Sequence, residues 1–277
     1  MNFRICISLF LLCCLLQPST AQKPVTKPKE VTVKAMTYNT YSGRKQGIDK
    51  IAEVIKKESP DIVSLQEIER NTEINPWDTP KKLSELTGMK YYYFAHALDI
   101  PTGGDYGNVI LSKYPVSEEK SFKLSVLKEG DYVRSFGYVK VVKEGKEFYF
   151  ATTHLDHKYE DAARLKQIDE ILACVEQLDK PVILGGDLNS RRGSATMAAF
   201  QKYFTVNCLS DGVPWTVPVP SPAYACDWLI YAPNEAFTVK AYNVCYWADK
   251  ESDHYPVVAN YLFKILSNKI NSKFATN

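Results

Sequence analysis

Short stretches far apart in this chain each carry a side chain that can bind a metal or move a proton. They are MTYNT with Asn39, VSLQEIE with Glu67, ATTHLD with His154, LGGDLNS with Asp187 and Asn189, ACDWLIY with Asp227, and ESDHYPV with Asp253 and His254. Carboxylates, amides and imidazoles are the tools of metal-assisted hydrolysis. Carboxylates hold hard divalent cations, while histidine and aspartate position water and transfer protons. Asp187 and Asn189 lie two residues apart after an apolar run, so both can face one pocket. There Asp187 could align and deprotonate a water, and Asn189 could hold that water or an oxygen of the reacting group. The competing reading is an Asx turn, which Gly-Asp-Leu-Asn also favours. His254 sits beside Asp253, and Asp227 is available to hydrogen-bond its ring, fix the tautomer and raise its pKa.

Each of these side chains adjoins a strand-like run. VTVKAMTY (31–38) leads into Asn39, DIVSLQ (61–66) into Glu67, EFYFATT (147–153) into His154 and PVILGG (181–186) into Asp187. Such apolar or alternating runs, bounded by Gly, Pro, Asn or Asp, read as strands. Asp227 and Asp253–His254 instead precede WLIY (228–231) and PVVANYLF (256–263). If these two strands run antiparallel to the others, all the polar groups meet at one rim. Helices are expected near 46–57, 79–87, 158–178 and 194–203, which gives an α/β class.

In this order the segments resemble the endonuclease/exonuclease/phosphatase superfamily. Its members include pancreatic-type deoxyribonucleases, abasic-site endonucleases, neutral sphingomyelinases, inositol polyphosphate 5-phosphatases and deadenylases. YGNVILSKYPV (106–116) also resembles a segment of that family. The resemblance implies a four-layer α/β/β/α sandwich with two mixed sheets, as in deoxyribonuclease I, and hydrolysis of a phosphate ester. It implies Glu67 as a metal ligand and Asp253 as a second or bridging one, with Mg²⁺ or Mn²⁺ expected and Ca²⁺ also able to bind. It implies an Asp227–His254 pair and a second catalytic or phosphate-contacting histidine at His154. Asn39 is expected to fix phosphate or a metal-bound water. Arg134 stands where the deoxyribonuclease branch has a phosphate-binding arginine, the alternative being an exposed salt bridge. Tyr106 and Asn108 are expected on the substrate side. His157 is expected to face solvent, and His96 to be structural. Bacterial members often read Arg-Ile-Asp-Tyr-Ile around the acid of the Asp–His pair, where this chain has Ala225-Cys226-Asp227-Trp228-Leu229. The acid is kept and the arginine is lost, which bears on substrate contacts. The Pro-rich stretch 213–225, with Trp215 and Tyr224, is expected to form a rigid loop over the rim, where substrates are chosen.

Residues 1–21 read as a secretory signal segment. Arg4 is followed by an apolar run from Ile5 to Leu16, and small residues precede a cut after Ala21. The rival, a lipoprotein signal at Cys13 or Cys14, lacks the small preceding residue. Residues 22–30 read as a Lys/Pro linker, 31–265 as one catalytic domain and 266–277 as a tail. The expected location is periplasmic or secreted. No stable membrane insertion or protein partner is implied.

The chain is 45% hydrophobic and 24% charged, a balance typical of a packed domain rather than a disordered chain. Of its cysteines, Cys174, Cys208, Cys226 and Cys245 lie beyond the signal segment. They read as buried thiols, with Cys208–Cys226 the pair to test for a disulfide, and no spacing among them suggests zinc. The 34 Lys and Arg nearly balance the 32 Asp and Glu, and the signal segment holds only Arg4 among charged residues. A sequence-independent nuclease leans on many Lys/Arg–phosphate contacts. A small or lipid-linked phosphodiester therefore ranks above nucleic acid. A phosphomonoesterase is a further reading, and so is a catalytically silent binding module, against which the intact set of polar residues argues.

Overall fold

The computed structural model describes residues 30–158, 160–206 and 215–264. The expected signal segment, residues 22–29 of the expected linker, Cys208 and the expected tail lie outside the described residues. Two mixed sheets form the centre. The first has strand order β10-β11-β1-β2-β4-β3, built from β1 (Thr32–Asn39), β2 (Ile62–Arg70), β3 (Tyr91–Asp99), β4 (Asp105–Ser112), β10 (Phe237–Val244) and β11 (Val257–Phe263). The second has order β5-β6-β7-β8-β9, from β5 (Val116–Leu124), β6 (Arg134–Lys143), β7 (Lys146–His154), β8 (Val182–Asp187) and β9 (Asp227–Ala232).

The central strands are buried on both faces, which is why β8 and β9 read as continuous apolar runs rather than alternating ones. Between the sheets lies one apolar layer that includes Val33, Ile110, Val139, Phe148, Phe150, Ile183, Leu229 and Tyr261. Truncating a side chain such as Phe150, fully buried here, would cost about 3–5 kcal/mol.

Four helices cover the outer faces among the described residues. α1 (Ile48–Glu58) and α2 (Thr79–Thr87) press Ile48, Ile51, Ile55 and Leu83 onto the first sheet. α3 (Ala162–Val175) and α4 (Ala195–Gln201) press Ile168, Ile171, Met197 and Phe200 onto the second. The result is the expected α/β/β/α sandwich. Local signals set the helix ends: Asp78 accepts from the Lys81 amide and Gly88 closes α2 in the left-handed region.

The sheets approach closely beneath the site. A Cβ on Gly185 would meet Ser64 Cβ at 3.0 Å and Thr37 Cβ at 3.2 Å, so any side chain there would have to push the first sheet back. The contact is polar and paired: Ser64 Oγ lies 2.7 Å from Thr152 Oγ1 and donates to Gly185 O (2.9 Å), and Gln66 Nε2 donates to Ser64 Oγ (2.6 Å). This buried network ties β2, β7 and β8 together at the ends that carry the functional side chains.

One strand differs from expectation. β2 does not end before Glu67 but continues to Arg70. Its pairing with β4 shifts register between Leu65 and Ile68, and Glu67 adopts φ +56°. Glu67 is therefore turned out of the sheet by a bulge within the strand. Cys174 is a half-buried free thiol against the second core, and Cys226 and Cys245 are buried free thiols. No helix among the described residues is long and apolar enough to cross a membrane.

Candidate active site

The strand directions gather the polar groups at one rim. β7 and β8 are parallel, with His154 level with Asp187. β9 runs antiparallel to β8 and places Asp227 opposite Asp187. β11 is antiparallel to β1, pairing Val257 with Thr37, so His254 lies just beyond the end of β1 that carries Asn39. The rim opens into a cleft of about 400 Å³ lined by Glu67, Tyr106, Arg134, His154, Asp187, Asn189 and His254.

Asp187 is the hub. Its Oδ1 accepts from the Asn189 amide (2.9 Å), and its Oδ2 accepts from Asn39 Nδ2 (3.0 Å). The same Oδ2 lies 3.4 Å from His154 Nε2 and 3.9 Å from His254 Nε2. The Asx turn expected as an alternative is thus present, and it aims the carboxylate into the site. Asn189 itself adopts φ +46° and donates through Nδ2 to Leu155 O (3.0 Å). Burial, and then the Asp227 charge, raise the pKa of Asp187 to about 6.

The two histidines are held in opposite states. His254 Nδ1 donates to Asp227 Oδ2 at 2.8 Å, and Asp227 is fully buried. Burial opposes a charge on this ring, yet Asp227, Asp187 and Asp253 outweigh it and raise its pKa to about 10. His154 accepts at Nδ1 from Arg134 Nη1 (3.0 Å), which leaves the ring proton on Nε2, facing Asp187. Burial first, then Arg134, His254 and His157, hold His154 well below the ordinary imidazole pKa. Arg134 is buried and forms no ion pair among the described residues. It donates to the Tyr106 hydroxyl (3.3 Å) and to His157 Nδ1 (3.3 Å), so the exposed salt bridge considered for it does not form.

Some expected residues stand apart from the cleft. Asn39 and Asp227 lie beneath it, buried, as supports for Glu67, Asp187 and His254. Asp253 does not line it; its carboxylate accepts from Ser252 Oγ (3.3 Å). Asn108 does not line it either. It sits within β4 under the second sheet and donates to Ser135 O (3.1 Å), so it joins two sheets rather than facing substrate. The loop expected over the rim is a brace in its described part. Thr216 Oγ1 accepts from the amides of Cys226 (3.1 Å) and Asp227 (3.3 Å), Thr216 O accepts from the Tyr255 amide (2.7 Å), and Val219 N donates to Asp253 O (3.0 Å). It grips the backbone on both sides of the Asp227–His254 pair.

Other cleft residues escaped the sequence reading: Tyr41, Arg44, Glu69, Tyr132 and His157. Glu69 is buried and ion-paired with Arg44. Its signal was present, since strand alternation puts residue 69 on the same face as residue 67. His157 is exposed, as expected, but stands at the cleft mouth against Arg134. It lies in a loop, where no periodicity marks it.

The cleft suits a hard cation. Glu67 lines it with no ion-pair partner among the described residues; its Oε1 accepts from Asn39 Nδ2 (3.1 Å), and Asp187 and Glu69 stand in the same wall. Ligand atoms of Asp187, Asp227 and His254 also lie within 4.8 Å of one another. The 2.8 Å bond between two of them already accounts for that grouping as a proton-handling unit.

Residues 36–254 match the model of the Endonuclease/Exonuclease/phosphatase family. The chain belongs to that family. Its members hydrolyse phosphate esters and generally depend on a divalent metal, and this protein is a phosphoester hydrolase. Among relatives, the Escherichia coli protein YbhP is 26% identical over 252 residues, 83% of this chain and 96% of YbhP. Sphingomyelinase C 1 of Leptospira interrogans is 29% identical over 133 residues, 43% of this chain and 22% of that protein. A family structure from Beutenbergia cavernae superposes with a TM-score of 0.73 at 23% identity, covering 84% of this chain and 72% of the other. That likeness concerns the fold.

Proposed function

We propose that this protein hydrolyses a small or lipid-linked phosphodiester by in-line attack of a water held at Asp187. One observation carries the reading: a carboxylate with a pKa of about 6 stands between a neutral and a charged histidine, 3.4 and 3.9 Å away. Titratable groups whose environments drive their pKa values apart mark acid and base roles. Asp187 orients the water and takes its proton. His254, kept cationic by Asp227, donates from Nε2 to a phosphoryl oxygen as negative charge gathers there. His154 hydrogen-bonds to the same group through its Nε2–H, Arg134 keeps that tautomer, and the leaving oxygen departs as its bond to phosphorus breaks and takes a proton from solvent. Asn189 borders the water position. Glu67, with Asn39 behind it, would hold Mg²⁺ or Mn²⁺. When bound, the ion supplies charge neutralisation at the phosphoryl and leaving oxygens.

The charge inventory of the cleft supports a small substrate. Arg44 is paired with Glu69, and Arg134 is held by Tyr106 and two histidines, so among the described residues the cleft itself offers no row of free cations to a polymer backbone. The similarity to a sphingomyelinase points the same way. The test is turnover, with Mg²⁺, of bis(p-nitrophenyl) phosphate, p-nitrophenyl phosphate, sphingomyelin and phosphatidylcholine vesicles, and duplex DNA at two salt concentrations. Faster, steeply salt-dependent DNA cleavage would replace this reading with a nuclease. Preference for p-nitrophenyl phosphate would replace it with a monoesterase.

A further inference from the structure

Beside the cleft lies a second cavity of about 460 Å³, and the two share His157 and Asn189 as a common wall. A substrate with its phosphodiester at Asp187 can therefore extend past Asn189 into the second space. We infer that this cavity is a subsite for a second phosphate group of the substrate, gripped by Arg191. The inference rests on the hydrolase reading above and narrows its substrate to one carrying two anionic groups.

The lining is polar and basic: Lys158, Arg164 and Arg191 face a single acidic residue, Asp161, among the described residues. Two of these cations are engaged. Lys158 is ion-paired with Asp131, and Arg164 with Asp161 while also donating to Asp156 O (3.0 Å). Arg191 differs. It is exposed and has no ion pair among the described residues, and its guanidinium stacks on the Tyr224 ring at 4.1 Å. Stacking uses the face of the guanidinium and leaves its N–H edge free, the arrangement that binds phosphate in bidentate fashion.

An independent observation comes from Ser190, which also lines the cavity. Its carbonyl accepts from Trp228 Nε1 (2.9 Å), so its backbone is fixed. Its hydroxyl is buried and has no hydrogen-bond partner among the described residues. Buried hydroxyls are normally paired, and a turn about χ1 is what this one needs to meet a phosphate oxygen in the cavity. Among the described lining residues there is no Leu, Ile, Val, Met or Phe to form the wall an acyl chain would need.

The probes are thymidine 5′-monophosphate and thymidine 3′,5′-bisphosphate, which differ by one phosphate, titrated calorimetrically into the full chain. The bisphosphate is expected to bind at least about tenfold more tightly. Arg191→Ala should erase that advantage while leaving monophosphate affinity within about twofold, and Arg191→Lys should retain part of it. Equal binding of the two ligands by the unaltered protein, or an advantage that survives Arg191→Ala, overturns the subsite. The 5′-p-nitrophenyl esters of the same two nucleotides test the catalytic reading separately. If neither ester is cleaved while the Arg191-dependent binding advantage remains, the diesterase reading falls and the subsite stands.

Discussion

Replacing Asp227 with Asn should slow this enzyme about 10- to 10²-fold without unfolding it, at about 1.5–3 kcal/mol for the interaction lost. Asparagine has nearly the same shape and can still accept from His254 Nδ1, so the 2.8 Å contact survives while its charge does not. At an effective dielectric constant of about 20, unit charges at this separation attract by about 6 kcal/mol. That attraction is what burial of His254 works against, and the net outcome is a pKa of about 10. Without the Asp227 charge, Asp187 and Asp253 alone oppose burial, and the His254 pKa should fall below about 7, a change of about 4 kcal/mol. The ring is then mostly neutral at pH 7.5. Loss of a charge-assisted hydrogen bond, about 1.5–3 kcal/mol, predicts a fall in kcat of about 10- to 10²-fold with little change in KM. The assay is steady-state hydrolysis of bis(p-nitrophenyl) phosphate, alongside the His254 ring pKa by nuclear magnetic resonance and the melting temperature. A variant with kcat within threefold of the parent, or with a His254 pKa still near 10, would refute the cationic role given to this histidine.

Other outcomes follow from the same geometry. Chelation should abolish activity and Mg²⁺ or Mn²⁺ should restore it; Glu67→Gln should raise the metal concentration needed for half-maximal rate by at least about tenfold, read by metal titration of activity. Thr216→Val removes the hydroxyl that accepts from the Cys226 and Asp227 amides. It should cost about 1–3 kcal/mol in urea unfolding and lower kcat more than it raises KM, because the braced backbone carries the partner of His254.

The sequence made the strand ends legible because each pairs a buried apolar run with one polar residue, a local contrast. It made the four helices legible through their amphipathic pattern, with α2 at the expected 79–87, α1 shifted by two residues at its start, and α3 shorter than the expected 158–178, at Ala162–Val175. The bulge at Glu67 was hidden, since a register shift depends on the facing strand β4 and not on the residues of β2 alone. Arg134 was visible as a residue but not as the clamp on His154 and His157, because those contacts join β6 to β7 and the loop after it. The loop at 213–225 was only half legible for a related reason. Its Trp, Tyr and Pro content resembles a recognition surface, and Tyr224 does line the second cavity, but the Thr216 hydroxyl that braces the Asp227–His254 pair is an atom composition does not weigh.

The left-handed backbone of Glu67 sets stability against activity. A non-glycine residue in that region carries strain of about 1–3 kcal/mol, a sizeable share of the 5–15 kcal/mol that keeps a typical protein folded. Glycine at this position would shed the strain and also the carboxylate that stands beside Asp187 and Glu69. Glu67→Gly should therefore melt higher than Glu67→Ala and be equally inactive. A library of this protein sorted only for heat resistance would drift toward glycine at residue 67 and lose its chemistry there first. Glutamate at so unfavourable a conformation thus places turnover ahead of durability at this one residue.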